Sequence, residues 1–321
     1  MPYYLRAILD LFLPRECLAC GCRLGLRERH LCLACAADVP YTYHWLSAHT
    51  PLADRFNAVL ERHRPADERM DYAYAVALMH YKGPCRAIPR ALKYHGDLAA
   101  GRFYGGLLGR RLATAPHFAD VDLIIPVPLH WTRRRSRGYN QAEILAQAIC
   151  DAFCHSEGTE AVCYCHSEET EGRRKNLHPS VQCRSDILFR ARRTRTQTKL
   201  TVEQKARNVA SAFQVSFAPS RRDATSHPQH DQTPHPLLDA LLRPWLDALR
   251  HSRLDVFRHS RLDRESPQET LARARHILIV DDTFTTGATL YACYAALRPY
   301  TSARISIATL AAVEGTPSSG P

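Results

Sequence analysis

Apolar positions along this chain fall into short buried-strand runs separated by helical patterns. Residues 72–79 read as a strand, and the Lys82-Gly83-Pro84 turn follows. Residues 87–92 and 103–112 carry helical periodicity. Residues 121–127 form an apolar run closed by Pro126 and Pro128, as a buried strand leading into a loop would be. Asn140 stands where a helix begins, with Glu143 three residues on in a capping-box pattern. Ile144, Leu145, Ala148, Ile149, Ala152 and Phe153 supply that helix with one apolar face. Thr201 and Gln204 repeat the capping pattern ahead of Phe213. Residues 276–280 read as a strand, 281–287 as a loop, 288–297 as a helix and 304–313 as a last strand. Strands alternating with helices predict an α/β fold with a mostly parallel sheet covered on both faces.

Two stretches lack periodicity and read as mobile surface insertions, 155–183 and 219–275, the second with a short helix near 237–249. Inside it, residues 250–255 (RHSRLD) recur at 258–263, too short a duplication for a repeat fold. The organisation expected is an amphipathic N-terminal helix (1–13), a cysteine knuckle (14–40), a linker or hood (41–71), a catalytic domain (72–313) and a flexible tail (314–321). With 321 residues there is room for one ample domain and a small module. No run is apolar enough to cross a membrane, and the N-terminus lacks the pattern of a signal peptide, so a cytoplasmic protein is expected.

The net charge of +11 suits anionic partners, either phosphate-rich metabolites or nucleic acid, and does not choose between them. Twelve cysteines in a chain read as cytoplasmic point to thiolate–metal chemistry rather than disulfides. Cys17 and Cys20 form one CxxC pair, and Cys32 and Cys35 a second, eleven residues later. Such pairs can close a tetrahedral structural zinc site. Metal would then provide most of the stability of so short a segment. Cys22 reads as a bystander that could replace one ligand, and a redox CxxC is the competing use. Cys150, Cys154, Cys163, Cys165 and Cys183 form a looser group, whereas Cys85 and Cys293 read as core residues.

The most informative segment is 277–289: an apolar strand, the acids Asp281 and Asp282, then Thr283, Phe284, Thr285, Thr286, Gly287, Ala288 and Thr289 opening a helix. Amides and the positive dipole end at a helix start suit a phosphate, and glycine permits close approach. Adjacent carboxylates would repel a bare anion but can hold ribose hydroxyls or Mg²⁺. The pattern therefore suits a phosphorylated ribose, the alternative being acids that merely cap a helix beside a glycine turn. Neither a P-loop nor a GxGxxG fingerprint is present.

This segment resembles the phosphoribosyl pyrophosphate (PRPP) motif of type I phosphoribosyltransferases, and the chain resembles the ComF family, competence-associated proteins of that fold. The likeness extends to residues 122–130 (DLIIPVPLH), to RGYNQ at 137–141, to TQTKL at 196–200 with Arg207, Asn208, Val209 and Phe213, and to YKG at 81–83 and LKY at 92–94. It implies a type I phosphoribosyltransferase fold with an N-terminal four-cysteine zinc knuckle of Cys17, Cys20, Cys32 and Cys35. It implies that Asp281 and Asp282 contact the ribose and that residues 283–289 hold the 5-phosphate. Residues 126–130 would border the pyrophosphate, with cations from 133–137 and 193–199, Arg137 foremost. The chemistry implied is Mg²⁺-dependent phosphoribosyl transfer with release of pyrophosphate. Partners implied on the alternative, non-catalytic reading are single-stranded DNA or a competence helicase. The chain departs from the family pattern at Thr283, where an aliphatic residue is usual, and in the two insertions.

Overall fold

The computed structural model describes residues 10, 14–63, 71–154, 181–191, 212–216 and 265–314. The N-terminal helix, the 237–249 helix, the duplicated octad, the Thr201–Gln204 box, residues 193–199 and Arg207 lie outside the described residues, apart from Asp10.

Five strands form one sheet: β1 (Ala75–His80), β2 (Leu123–Pro126), β3 (Gln182–Cys183), β6 (His276–Phe284) and β7 (Arg304–Ala312), in the order β1-β7-β6-β2-β3. Every pairing among them is parallel. Two short strands, β4 (Leu188–Arg190) and β5 (Phe213–Val215), make a separate antiparallel ribbon. The chain is thus a mixed α/β protein, as its alternating pattern predicts.

The helices lie on both faces of the sheet. They are α1 (Leu33–Ala37), α2 (Pro51–Arg62), α3 (Ala87–Arg90), α4 (Leu98–Ala113), α5 (Trp131–Arg137), α6 (Gln141–Cys154), α7 (Pro267–Arg273) and α8 (Ala288–Leu297). β6 shows why both faces need cover: Leu278 and Val280 join the core that holds α4 and α6, while Ile277 and Ile279 join the core of α2, α7 and α8. The α4–α6 contact is close because Gly109 carries no side chain; a Cβ there would come within 2.8 Å of Ile149 Cα.

Several differences from the sequence expectation have local causes. The 41–71 stretch contains α2, started by Pro51 and by Thr50, whose hydroxyl accepts from Ala53 N at 3.1 Å. Leu52, Phe56 and Leu60 of that helix are buried in the core, so the stretch is more than a linker. Val181–Cys183, assigned to a surface insertion by pattern, reach the central sheet, where Gln182 and Cys183 pair with Leu123 and Ile124. Two residues are too few for periodicity to register. Residues 267–273, assigned to the second insertion, form α7, opened by a capping box between Ser266 and Glu269. Asn140 does cap α6, through Ala142 N, but Glu143 pairs with Arg134 at 3.2 Å.

The cysteine knuckle shares its core with the main domain. Leu24, Leu31 and Val39 are buried in the same cluster as Tyr104 and Leu108 of α4. Arg15 also ties it together, pairing with Asp10 at 2.7 Å and donating to the carbonyls of Glu28 and Gly25. Packing therefore supports this segment alongside any metal, which a short cysteine-rich stretch alone does not suggest.

Candidate functional site

Strand order reverses between β6 and β2: β6 is followed by β7 on one side, and β2 by β3 on the other. In open parallel sheets ligands bind in the crevice at such a point, outside the carboxyl ends of the strands. Asp281 and Asp282 lie there. The strand expected to stop at Val280 continues to Phe284, paired through Asp281, Thr283 and Phe284 with β7. Successive strand residues point to opposite faces, and the two acids accordingly have different partners. Asp282 is buried and its Oδ1 lies 2.9 Å from Lys93 Nζ. Asp281 faces the α8 side, where its charge bears on Cys293. Burial, then the neighbouring Asp282 charge, raises the Asp281 carboxyl well above the ordinary carboxylate range, against the pull of Asp282 N–H, Lys93 and Arg190.

The turn after β6 is held from behind. Arg55 of α2 lies over the Phe284 ring, 5.1 Å from its centroid, and donates to the carbonyls of Thr285 at 2.8 Å and Val313 at 2.6 Å. Phe284 is itself buried, so only its backbone can reach a ligand. Gly287 has φ +78°, and a Cβ there would meet the Phe284 ring at 3.0 Å, so glycine is required twice over. Gly287 itself offers no side-chain cap to α8, Ala288 N donates to Thr286 Oγ1 at a long 3.5 Å, and Thr285 and Thr286 are exposed beside it. The buried Thr283 Oγ1 makes no hydrogen bond among the described residues.

Lys93 reaches Asp282 because residues Ala91–His95 form a π-helical turn after α3, ended by Gly96 in the left-handed region. Such turns are uncommon and often mark functional sites. The RGYNQ motif supports this turn. Tyr139 donates its hydroxyl to Leu92 O, and Arg137 lies 6.0 Å from the centroid of the exposed Tyr94 ring. Asn140 donates to Val127 O at 3.0 Å, joining the end of β2 to the start of α6. Burial works against the Lys93 charge, but Asp282 and Asp281 outweigh it and raise its pKa. Arg137 thus stacks on Tyr94, the chain neighbour of Lys93. His130 is buried and caps α5, and Arg133, Arg134 and Arg135 are exposed on that helix. Arg190 of β4, 5.1 Å from the Phe213 ring centroid, exerts its charge on Asp281. Sequence patterns pointed to neither Arg55 nor Arg190, whose neighbours are distant in the chain; Lys93 had its signal in the LKY triplet.

At the N-terminus the thiols of Cys17, Cys20, Cys22 and Cys32 lie within 4.8 Å of one another, a set that could hold a metal ion such as zinc. Four sulfurs about 2.3 Å from a tetrahedral zinc sit about 3.8 Å apart, and Cys20 Sγ and Cys32 Sγ are 3.7 Å apart. Burial pushes the Cys17 thiol up, but N–H groups of Cys20, Cys32 and Ala19 outweigh it and bring it down to about 6. Cys35 lies against Cys20, Cys32 and Cys17. Cys22, expected as a bystander, therefore joins the cluster. Among the looser cysteines, Cys150 and Cys154 lie together near Cys183, and Cys163 and Cys165 lie outside the described residues. Cys85 and Cys293 are fully buried.

Fold and site together define an α/β protein with a carboxylate pair and a glycine turn at the switch point of a parallel sheet, plus a cysteine knuckle. Over 140 residues the chain is 28% identical to Competence protein F of Haemophilus influenzae, a match covering 42% of this chain and 58% of that protein. It therefore spans less than two thirds of that relative. No protein-family model matches the chain. No helix among the described residues is long and apolar enough to cross a membrane.

Proposed function

We propose that the chain is a ComF-type phosphoribosyltransferase that binds PRPP and transfers its phosphoribosyl group to an acceptor, releasing pyrophosphate. The observation that carries this reading is the placement of Asp281 and Asp282 near the carboxyl end of β6, a few residues ahead of the Gly287 turn and the start of α8. Amides and threonine hydroxyls there suit the 5-phosphate. The acids suit the ribose hydroxyls, and with donor oxygens they would hold Mg²⁺, which takes oxygen ligands and neutralises a leaving pyrophosphate. Lys93 and Arg190 flank the pair with positive charge. No protein nucleophile is needed, because electrostatic stabilisation of the separating charges does the main work. Lys93 holds the Asp282 carboxylate in place until the sugar arrives. The knuckle, in this reading, holds one structural zinc ion.

The test is pyrophosphate release from PRPP and Mg²⁺ across a panel of amine and nucleobase acceptors. Release that disappears in Asp282→Asn supports transfer; no release with any acceptor rejects catalysis. A second reading, a non-catalytic DNA-uptake accessory, draws on the relative's name and on α5, where Trp131 is 65% exposed beside Arg133, Arg134 and Arg135. It predicts single-stranded DNA binding that weakens steeply with salt and falls in Trp131→Ala.

A further inference from the structure

The knuckle contains more thiols than a tetrahedral ion can use. Cys17, Cys20 and Cys32 form its fixed part. Cys17 is buried and receives N–H groups from Ala19, Cys20 and Cys32, while Cys32 receives the N–H of Cys35 and lies 3.7 Å from Cys20. Such donors stabilise thiolates and orient metal ligands. Two further thiols approach the same edge. Cys22 lies against Cys20 and Cys32 from the first turn, where Gly21 has φ +73° and Cys17 N donates to Cys22 O at 2.8 Å. Cys35 lies against Cys20, Cys32 and Cys17 from the first turn of α1. The paired CxxC spacing favours Cys35 as fourth ligand, while mutual proximity favours Cys22.

We propose that Cys22 and Cys35 are alternative fourth ligands of one zinc ion, so that the site keeps its metal while one thiol at its edge remains open to reaction. Zinc takes four thiolates in a closed structural site, and either thiol completes the same three-sulfur base. Ligand exchange needs no change in fold, because Leu24, Leu31 and Val39 anchor the knuckle in the domain core independently of the metal. The site would thus tolerate alkylation or oxidation of one cysteine without metal release. This inference rests on the knuckle holding zinc, and the experiment separates the two.

Zinc content of the full chain is measured after equilibration with a graded chelator for wild type, Cys22→Ser, Cys35→Ser, the double variant and Cys20→Ser. Expected is one tightly held ion in wild type, a loss of affinity of about 10-fold or less in each single variant, and a loss beyond about 100-fold in the double variant and in Cys20→Ser. Cobalt-substituted spectra give a second readout: thiolate-to-metal charge-transfer intensity equal in wild type and both single variants, and reduced by about a quarter in the double variant. An unchanged affinity in Cys22→Ser with metal lost from Cys35→Ser, or the reverse, overturns the exchange, as does a double variant that binds like wild type. A wild-type chain without zinc would instead remove the metal assignment itself.

Discussion

Lys93 Nζ and Asp282 Oδ1 are 2.9 Å apart at the carboxyl end of the central strand, and the lysine is placed there by a π-helical turn. Lys93→Met would leave a buried carboxylate without its cation. The expected cost is about 1–3 kcal/mol, read as a lower midpoint in thermal or denaturant unfolding. Adding Asp282→Asn should recover much of that loss, because the charge left unpaired is then gone. A double variant as unstable as Lys93→Met would show that the pair is not the source.

Thr283 offers the opposite case. Its buried hydroxyl lacks a partner among the described residues, at a position where the resembled family is usually aliphatic. Thr283→Val should stabilise the chain by about 1 kcal/mol, measurable as a rise of roughly 2 °C in melting temperature. A fall of that size would mean that the hydroxyl contributes to the stability of the fold.

Arg55 fixes the turn that α8 follows. Arg55→Ala removes two hydrogen bonds to carbonyls and the cover over Phe284. Ribose 5-phosphate affinity should drop about 10-fold, equivalent to about 1.4 kcal/mol, and Arg55→Lys should restore only part of it. Calorimetry with ribose 5-phosphate and both variants decides this.

His44 gives the fold a pH dependence. Burial, then the charge of His80, lowers its pKa from 6.5 to about 4, and burial also lowers His276. An imidazole held neutral in the folded state binds fewer protons than in the unfolded chain, so stability rises with pH across this window. The contribution is complete above about 6.5 and is lost as pH falls towards 4, a total on the order of 3 kcal/mol for His44. Unfolding midpoints between pH 7 and 5 should fall less steeply in His44→Leu than in wild type; parallel curves would exclude His44 as the cause.

The parts of this molecule that were legible in sequence are those fixed by near neighbours. The α8 boundaries, 288 and 297, follow from apolar spacing after Gly287, and the Asn140 cap follows from the residues beside it. The acidic pair was visible because its chemistry is contiguous. What it touches was not: Arg55 and Thr285 are 230 residues apart, and Gln182 joins the sheet after a stretch without periodicity. Nor does any local pattern announce that residues 91–95 wind as a π-turn. The extension of β6 to Phe284 was concealed by its composition, since acids and threonines read as loop until β7 is seen alongside.

The central claim is that Asp281 and Asp282 hold the ribose of a donor whose phosphate rests on the turn beside them. Titration calorimetry of the full chain with PRPP and Mg²⁺ tests it most directly. One-site binding in wild type, weakened at least about 100-fold (about 2.7 kcal/mol) in Asp281→Asn/Asp282→Asn, is the result expected. No heat from the wild-type chain, or equal affinity in the double variant, would contradict it.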